Sequence, residues 1–299
     1  MPNLGLADLD PDELGREVVR AWDDFLLLLP GTDLSLPSRL PGWTGKDVCI
    51  HLGAWGDRTP IHALITSAEA GGRTAPPEPD DDNAAVLDSH RDASDAEVVA
   101  ALHRAREAMV EFFASDLPKR LGTLPSQSSL GLLPVLSLVH ASSYELAVHA
   151  LDLKPCGAAA PSRHLLDRGL AALIDITGHL SARAGIDITV TAQTPDGGWA
   201  FSSGRDGSRT TRTAPEAVYG TGVRGSAADL LDASAGRAAL PTLLLSRRLV
   251  VHQMPSFMRL APLVSEVPGL PGGAALRTGL SGLSVVTGGV GKLLGRLRR

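Results

Sequence analysis

The sequence predicts an α+β protein. A helical N-terminal domain over residues 11–185 is followed by a small α+β domain over 186–267 and a glycine-rich basic tail over 268–299. Three observations lead there. Up to about residue 185, apolar residues recur every three or four positions, the period of amphipathic helices. At Ile186 the period drops to two, with Ile186, Ile188, Val190 and Ala192 alternating with polar residues, as in a half-buried strand. Thr194-Pro195-Asp196-Gly197-Gly198 is then a turn signal, and Trp199-Ala200-Phe201 begins a returning strand. Long helices joined by loops pack antiparallel, so four are expected to form a bundle core with one more alongside.

The elements follow in order. Leu14, Val18, Trp22, Phe25 and Leu29 share a helix face, and Pro30-Gly31 stops the run. Thr44-Gly45-Lys46-Asp47 reads as a capping box opening a second helix, which places Val48, His51, Leu52 and Trp55 on one side. Pro60 ends that helix or starts another. Residues 71–83, rich in Gly, Pro and Asp, are expected to form a surface loop. Ser94-Asp95-Ala96-Glu97 is a second capping box, opening a helix that turns Val98, Leu102, Met109 and Phe113 inward and is closed by Leu117-Pro118. A long helix starts after Pro134 and ends at Pro155-Cys156-Gly157. Another runs from about Ser162 to Ala184, with Gly185 as its terminator. Beyond the strands, Ser226 is expected to cap a short helix over 227–233. The tail carries Lys292, Arg296, Arg298 and Arg299 among glycines that disfavour a helix, so a flexible tail is expected there.

Composition narrows the class. Hydrophobic residues at 43% and charged residues at 20% fit a folded soluble chain with a sizeable core. A formal net charge of -5 gives no electrostatic case for nucleic acid. The two cysteines, Cys49 and Cys156, stand far apart in no paired motif, which speaks against a disulfide framework and for a reducing cytoplasm. Neither a secretory signal nor an apolar run long enough for stable membrane insertion is expected.

The chemistry is carried by His51, Glu145 and His149. Glu-x-x-x-His inside a helix puts carboxylate and imidazole one turn apart on one face. Such pairs are common on helix surfaces as simple ion pairs. Here they sit among Leu138, Val139, Leu146, Ala147, Val148 and Leu151, where an unpartnered carboxylate would be costly. A divalent metal would satisfy both, and His51 supplies a third donor from a distant helix. Three protein ligands leave one position open, as in catalytic zinc sites. Asp152, three residues after His149, can orient its imidazole or make a local helix-end bond. His140 lies nearly opposite His149 and is not counted as a ligand. Cys49 and Cys156 read as small buried residues.

Two segments, Leu36-Pro37-Ser38-Arg39-Leu40-Pro41-Gly42-Trp43-Thr44 with His51, and Glu145-Leu146-Ala147-Val148-His149-Ala150-Leu151-Asp152, together resemble the mycothiol-dependent maleylpyruvate isomerase family, within the DinB-like metal-binding bundles. The later stretches Val223-Arg224-Gly225-Ser226-Ala227-Ala228-Asp229-Leu230-Leu231 and Gly236-Arg237 resemble that family's C-terminal domain, which is sterol-carrier-like. The resemblance implies a divalent metal, usually zinc, held by His51, Glu145 and His149. It also implies mycothiol as a low-molecular-weight thiol cofactor, and a small electrophilic substrate. Trp43 is then expected to shape the mouth of the site, and Asp152 to support it. Arg224 and Arg237 are the expected anchors for a carboxylate of substrate or thiol, because a guanidinium offers a planar fork. The reaction implied is cis–trans isomerisation by thiolate addition and elimination. A mycothiol S-transferase and a non-catalytic metal-binding protein are the alternatives. In one respect the chain departs from the family pattern: arginine usually precedes the ligand glutamate, and here the residues are Ser142-Ser143-Tyr144.

Overall fold

The computed structural model describes residues 3–4, 10–56, 59–75, 79–215 and 220–263; the expected tail over 268–299 lies outside them. The chain is mixed α+β, helical first and sheet-rich afterwards. Helix α1 (Pro11–Leu26) is capped by Asp10, whose carboxylate accepts from the Asp12 N–H at 2.9 Å. Helix α2 (Gly45–Leu52) opens on the Thr44/Asp47 capping box and α5 (Asp95–Ala114) on the Ser94/Glu97 box, both reciprocal as their sequences predict. Pro60 starts α3 (Pro60–Glu69), where its missing N–H costs nothing. Leu117 does not simply close α5; it begins the five-residue α6 (Leu117–Leu121).

One expectation is overturned. The loop over 71–83 ends early, because α4 spans Pro79–His90. A proline is well suited to the first helical position, and Asp81 and Asp82 put negative charge at the positive end of the helix dipole. The same composition reads as a loop when only breakers are counted. A small antiparallel hairpin, β2 (Pro125–Ser128) with β3 (Gly131–Pro134), precedes α7 (Val135–Asp152).

Helix α8 (Arg163–Arg183) starts on Ser162 and ends before Gly185, which takes the left-handed φ of 68°. The sheet follows: β4 (Ile188–Thr194), β5 (Gly197–Gly204) and β6 (Gly207–Thr213) form an antiparallel meander. β7 (Gly222–Arg224) runs parallel to β4, β8 (Val250–His252) pairs antiparallel with β7, and β1 (Asn3–Leu4) pairs parallel with β6 at the other edge. The order is β1-β6-β5-β4-β7-β8. Helices α9 (Ala227–Ser234), α10 (Leu240–Leu245) and α11 (Met254–Phe257) complete the second half. No helix among the described residues is long and apolar enough to cross a membrane.

Two apolar clusters form. Leu14, Phe25, Val48, Leu102, Val139 and Leu146 belong to the helical one; Ile174, Val190, Trp199 and Phe201 belong to the one under the sheet. Helix α8 contributes to both, Leu165 to the first and Leu170 to the second. The approach of α7 to α8 is set by Gly169. A Cβ there would stand 2.4 Å from the Ala147 Cβ and 3.2 Å from the Ser143 carbonyl oxygen. Helix propensity alone makes Gly→Ala stabilising by about 1 kcal/mol. The contact should reverse the sign: Gly169→Ala is expected to lower stability by about 1–3 kcal/mol, read from the urea midpoint. A stabilised variant would mean that the two helices are not held this close.

Candidate metal centre

The C-terminal end of α7 and the last turn of α2 bring the three candidate ligands together. On α7, Leu146, Ala147, Val148 and Ala150 are buried, which locks the helix rotation and aims Glu145 and His149 to one side. On α2, Val48, Cys49 and Ile50 are buried and leave His51 turned toward α7. The strap before α2 is pinned on itself: Ser38 N–H and Oγ–H both donate to the Trp43 carbonyl, at 2.9 Å each. This holds Trp43 edge-on to His51, with ring centroids 5.6 Å apart.

One ligand atom from each of His51, Glu145 and His149 lies within 4.8 Å of the others. Glu145 Oε2 is 3.4 Å from His149 Nε2 and 3.8 Å from His51 Nε2. A tetrahedral cation with bonds of about 2.0–2.2 Å separates its ligand atoms by about 3.3–3.6 Å, so this donor set is close to the required spacing. Glu145 is half exposed at 50% of its side chain, so the cluster faces solvent on that side, whereas His149 is at 7%.

The tautomers matter as much as the distances. His149 Nδ1 is 3.1 Å from Asp152 Oδ2, and His51 Nδ1 is 2.9 Å from Asn83 Oδ1. Each Nδ1–H therefore has an acceptor, and each Nε2 is left to offer its lone pair. Asp152 is fully buried. It also accepts from Arg237, whose Nε and Nη2 approach its oxygens at 2.9 and 3.0 Å. Arg237 Nη1–H donates to the Ala235 carbonyl at 3.0 Å. The segment after α9 thus reaches the residue that holds His149 of α7. Arg39 lies at the same junction, with Nη2 2.9 Å from Asp232 Oδ1 and its own N–H donating to the Asp152 carbonyl at 3.0 Å.

These contacts set the charge states. Partial desolvation raises the Glu145 carboxyl, but hydrogen bonds from His149 and His51 outweigh it and hold the group well below the usual carboxylate range. For His149, burial lowers the pKa, while hydrogen bonds to Asp152 and Glu145 raise it further, from 6.5 to about 9. Asp152 is raised by burial and then lowered, on balance, by His149 and Arg237. A folded pKa above the unfolded one stabilises the fold in full below about pH 6.5 and loses that contribution as pH rises through about 9. The urea midpoint of metal-free protein is therefore expected to fall across that window, and the fall should disappear in His149→Gln. A flat wild-type profile would contradict the pairing. A metal needs the neutral imidazole, so its uptake should also release protons in the same window.

The remaining predicted residues fall elsewhere. Arg224 is exposed at the end of β7 and makes none of the contacts just described. Cys49 is fully buried and outside the cluster, its thiol pushed up to about 12, first by burial and then by Cys156. Cys156 is also buried; its thiol faces the Leu36 carbonyl at 3.4 Å. His140 is buried outside the cluster, and burial lowers its pKa to about 3. Tyr144, at the position where arginine was expected, packs against the helical core; its hydroxyl lies 3.2 Å from Ser234 Oγ of α9. Sequence reasoning missed Asn83. Counting Gly, Pro and Asp placed it in a loop, and nothing local connects it with a histidine 32 residues away.

Two imidazoles and a carboxylate, converging from two helices with both Nδ1 atoms engaged, define a helical domain built around a three-ligand candidate metal centre. Residues 16–154, which contain all three candidate ligands, match the family described as "Mycothiol maleylpyruvate isomerase N-terminal domain". Among curated proteins, no relative matches. Among solved structures, the chain is similar to the mycothiol-dependent maleylpyruvate isomerase and to a His-to-Ala mutant of it. Each comparison gives 20% identity and a TM-score of 0.43 over 78% of this chain and 92% of that chain.

Proposed function

We propose that the chain is a divalent-metal-dependent enzyme that uses a low-molecular-weight thiol, mycothiol, to isomerise a cis double bond in a small electrophilic substrate of the maleylpyruvate type. The observation that carries this is the convergence of three candidate ligand atoms within 4.8 Å, in a segment that matches this family's N-terminal domain. The donor set suits zinc. When bound, such a cation favours thiolate over thiol and leaves a position open for it. The reaction then needs the thiolate to add to the activated cis double bond. Rotation about the resulting single bond and loss of the thiolate give the trans product.

The chain's own residues hold the parts in place. Glu145 and Asp152 supply negative charge on either side of His149, and Arg237 neutralises the buried Asp152. Three N–H groups of Arg237 are already engaged, so its role in this reading is to hold Asp152 rather than substrate. Arg224, exposed and outside that network, remains the arginine for a substrate carboxylate. Trp43 covers one edge of His51. The reading carries with it a DinB-like four-helix bundle over 11–185 and a sterol-carrier-like fold over 186–267.

A second reading, transfer of the thiol to an electrophile that keeps it, is favoured by Tyr144, which packs against the helical core where the family pattern has an arginine. The non-catalytic alternative needs a fourth protein ligand, and Cys49 does not join the cluster. The test is a mycothiol titration of metal-loaded protein by calorimetry, followed by product analysis with maleylpyruvate. Trans product without net thiol consumption supports isomerisation, and a stable thiol adduct supports transfer. Loaded protein that binds no mycothiol would sink both.

A further inference from the structure

We infer that Asn83 is the positioning residue for His51: its amide oxygen holds the imidazole in the Nδ1–H form and so keeps Nε2 as a metal donor. This rests on the metal reading above and extends it to α4. His51 lies in the last turn of a helix of only eight residues and is 21% exposed, so packing restrains its ring less than that of His149. The two aromatic neighbours, Trp43 at 5.6 Å and His149 at 5.1 Å, are both edge-on and set no proton position. Asn83 Oδ1, 2.9 Å from Nδ1, does. A carbonyl oxygen only accepts, so Nδ1 must donate. The opposite amide orientation would donate from Nδ2 into Nδ1, move the ring proton to Nε2 and remove the donor atom.

Asn83 reaches the site because α4 is fastened to the α2 region at a second point. His90, the last residue of α4, stacks on Trp55 with centroids 4.0 Å apart and planes 14° apart. Trp55 is itself fixed by donating Nε1–H to the Ile50 carbonyl at 2.9 Å. The two histidine ligands are therefore oriented by unlike acceptors. His149 has a fully buried carboxylate paired with Arg237; His51 has a neutral amide on a peripheral helix. His51 is the ligand whose orientation depends on α4.

The test is cobalt(II) and zinc(II) titration of the full chain as wild type, Asn83→Asp and Asn83→Leu, with circular dichroism confirming equal helix content. Losing an orienting acceptor typically weakens a metal site about 10–100-fold. Asn83→Leu should weaken binding by that factor and alter the cobalt visible spectrum. Asn83→Asp, which keeps an acceptor, should bind within a few-fold of wild type. If Asn83→Leu loses helix, Asn83→Ala takes its place. In zinc-loaded wild type, a long-range proton–nitrogen spectrum should show a His51 Nδ1–H that the Leu variant lacks. Unchanged affinity and spectrum in Asn83→Leu, or no rescue by Asn83→Asp, would overturn the role of Asn83 alone. A wild-type chain that binds neither cation would overturn the metal reading and this inference together.

Discussion

His149→Ala and Glu145→Ala should each purify essentially free of metal, against about one equivalent per chain in wild type measured by elemental analysis. The expectation follows from how few donors there are. Only His51, Glu145 and His149 converge among the described residues, and Glu145 Oε2 lies within 3.8 Å of both imidazoles. Zinc bound by a full protein ligand set is stabilised by about 10–16 kcal/mol, so one lost ligand removes several kcal/mol, a hundredfold or more in affinity. The variants should still fold, because the helical cluster of Val48, Leu102, Val139 and Leu146 does not include them. They should differ without metal. His149→Ala strands the buried Asp152 with Arg237 as its remaining partner, whereas Glu145→Ala removes a half-exposed carboxylate. Full metal retention by both would disprove the site.

Arg237→Ala is expected to be the most destabilising change outside the apolar cores. It removes the guanidinium from a carboxylate with no exposed surface, leaving Asp152 with His149 alone. Breaking a buried ion pair from one side costs about 3–5 kcal/mol, because the other charge stays buried without its partner. Metal affinity should fall as well, since Asp152 orients the imidazole. Arg237→Lys should recover part of the stability and less of the affinity, as an ammonium cannot reproduce the forked contact. Urea unfolding paired with zinc titration measures both. A variant with wild-type stability but lost catalysis would instead return Arg237 to the substrate, as its sequence context suggests.

Much of the architecture is legible in local chemistry. The capping boxes at Thr44 and Ser94, the helix starting at about Ser162 and the Ser226 cap depend on residues three or four apart and are present, and the period-two pattern read from Ile186 becomes a strand that begins at Ile188. Helix α4 shows the limit: the breakers over 71–83 read as a loop, and the contact that docks the helix comes from α2. The hairpin of β2 and β3 left no clear pattern, being only four residues per strand.

The site divides along the same line. Spacing within one helix determined that Glu145, His149 and Asp152 share a face, since four residues make about one turn. It also singled out His51 as a third donor on an otherwise apolar face. Only the tertiary structure decided that Arg237 binds Asp152 rather than facing outward, that Asn83 rather than any neighbour in sequence holds His51, and that Tyr144 packs toward α9. The reason is physical. Helix periodicity repeats every few residues and is written in the chain, whereas the partner of a buried polar group is whichever acceptor or donor packing brings within about 3 Å.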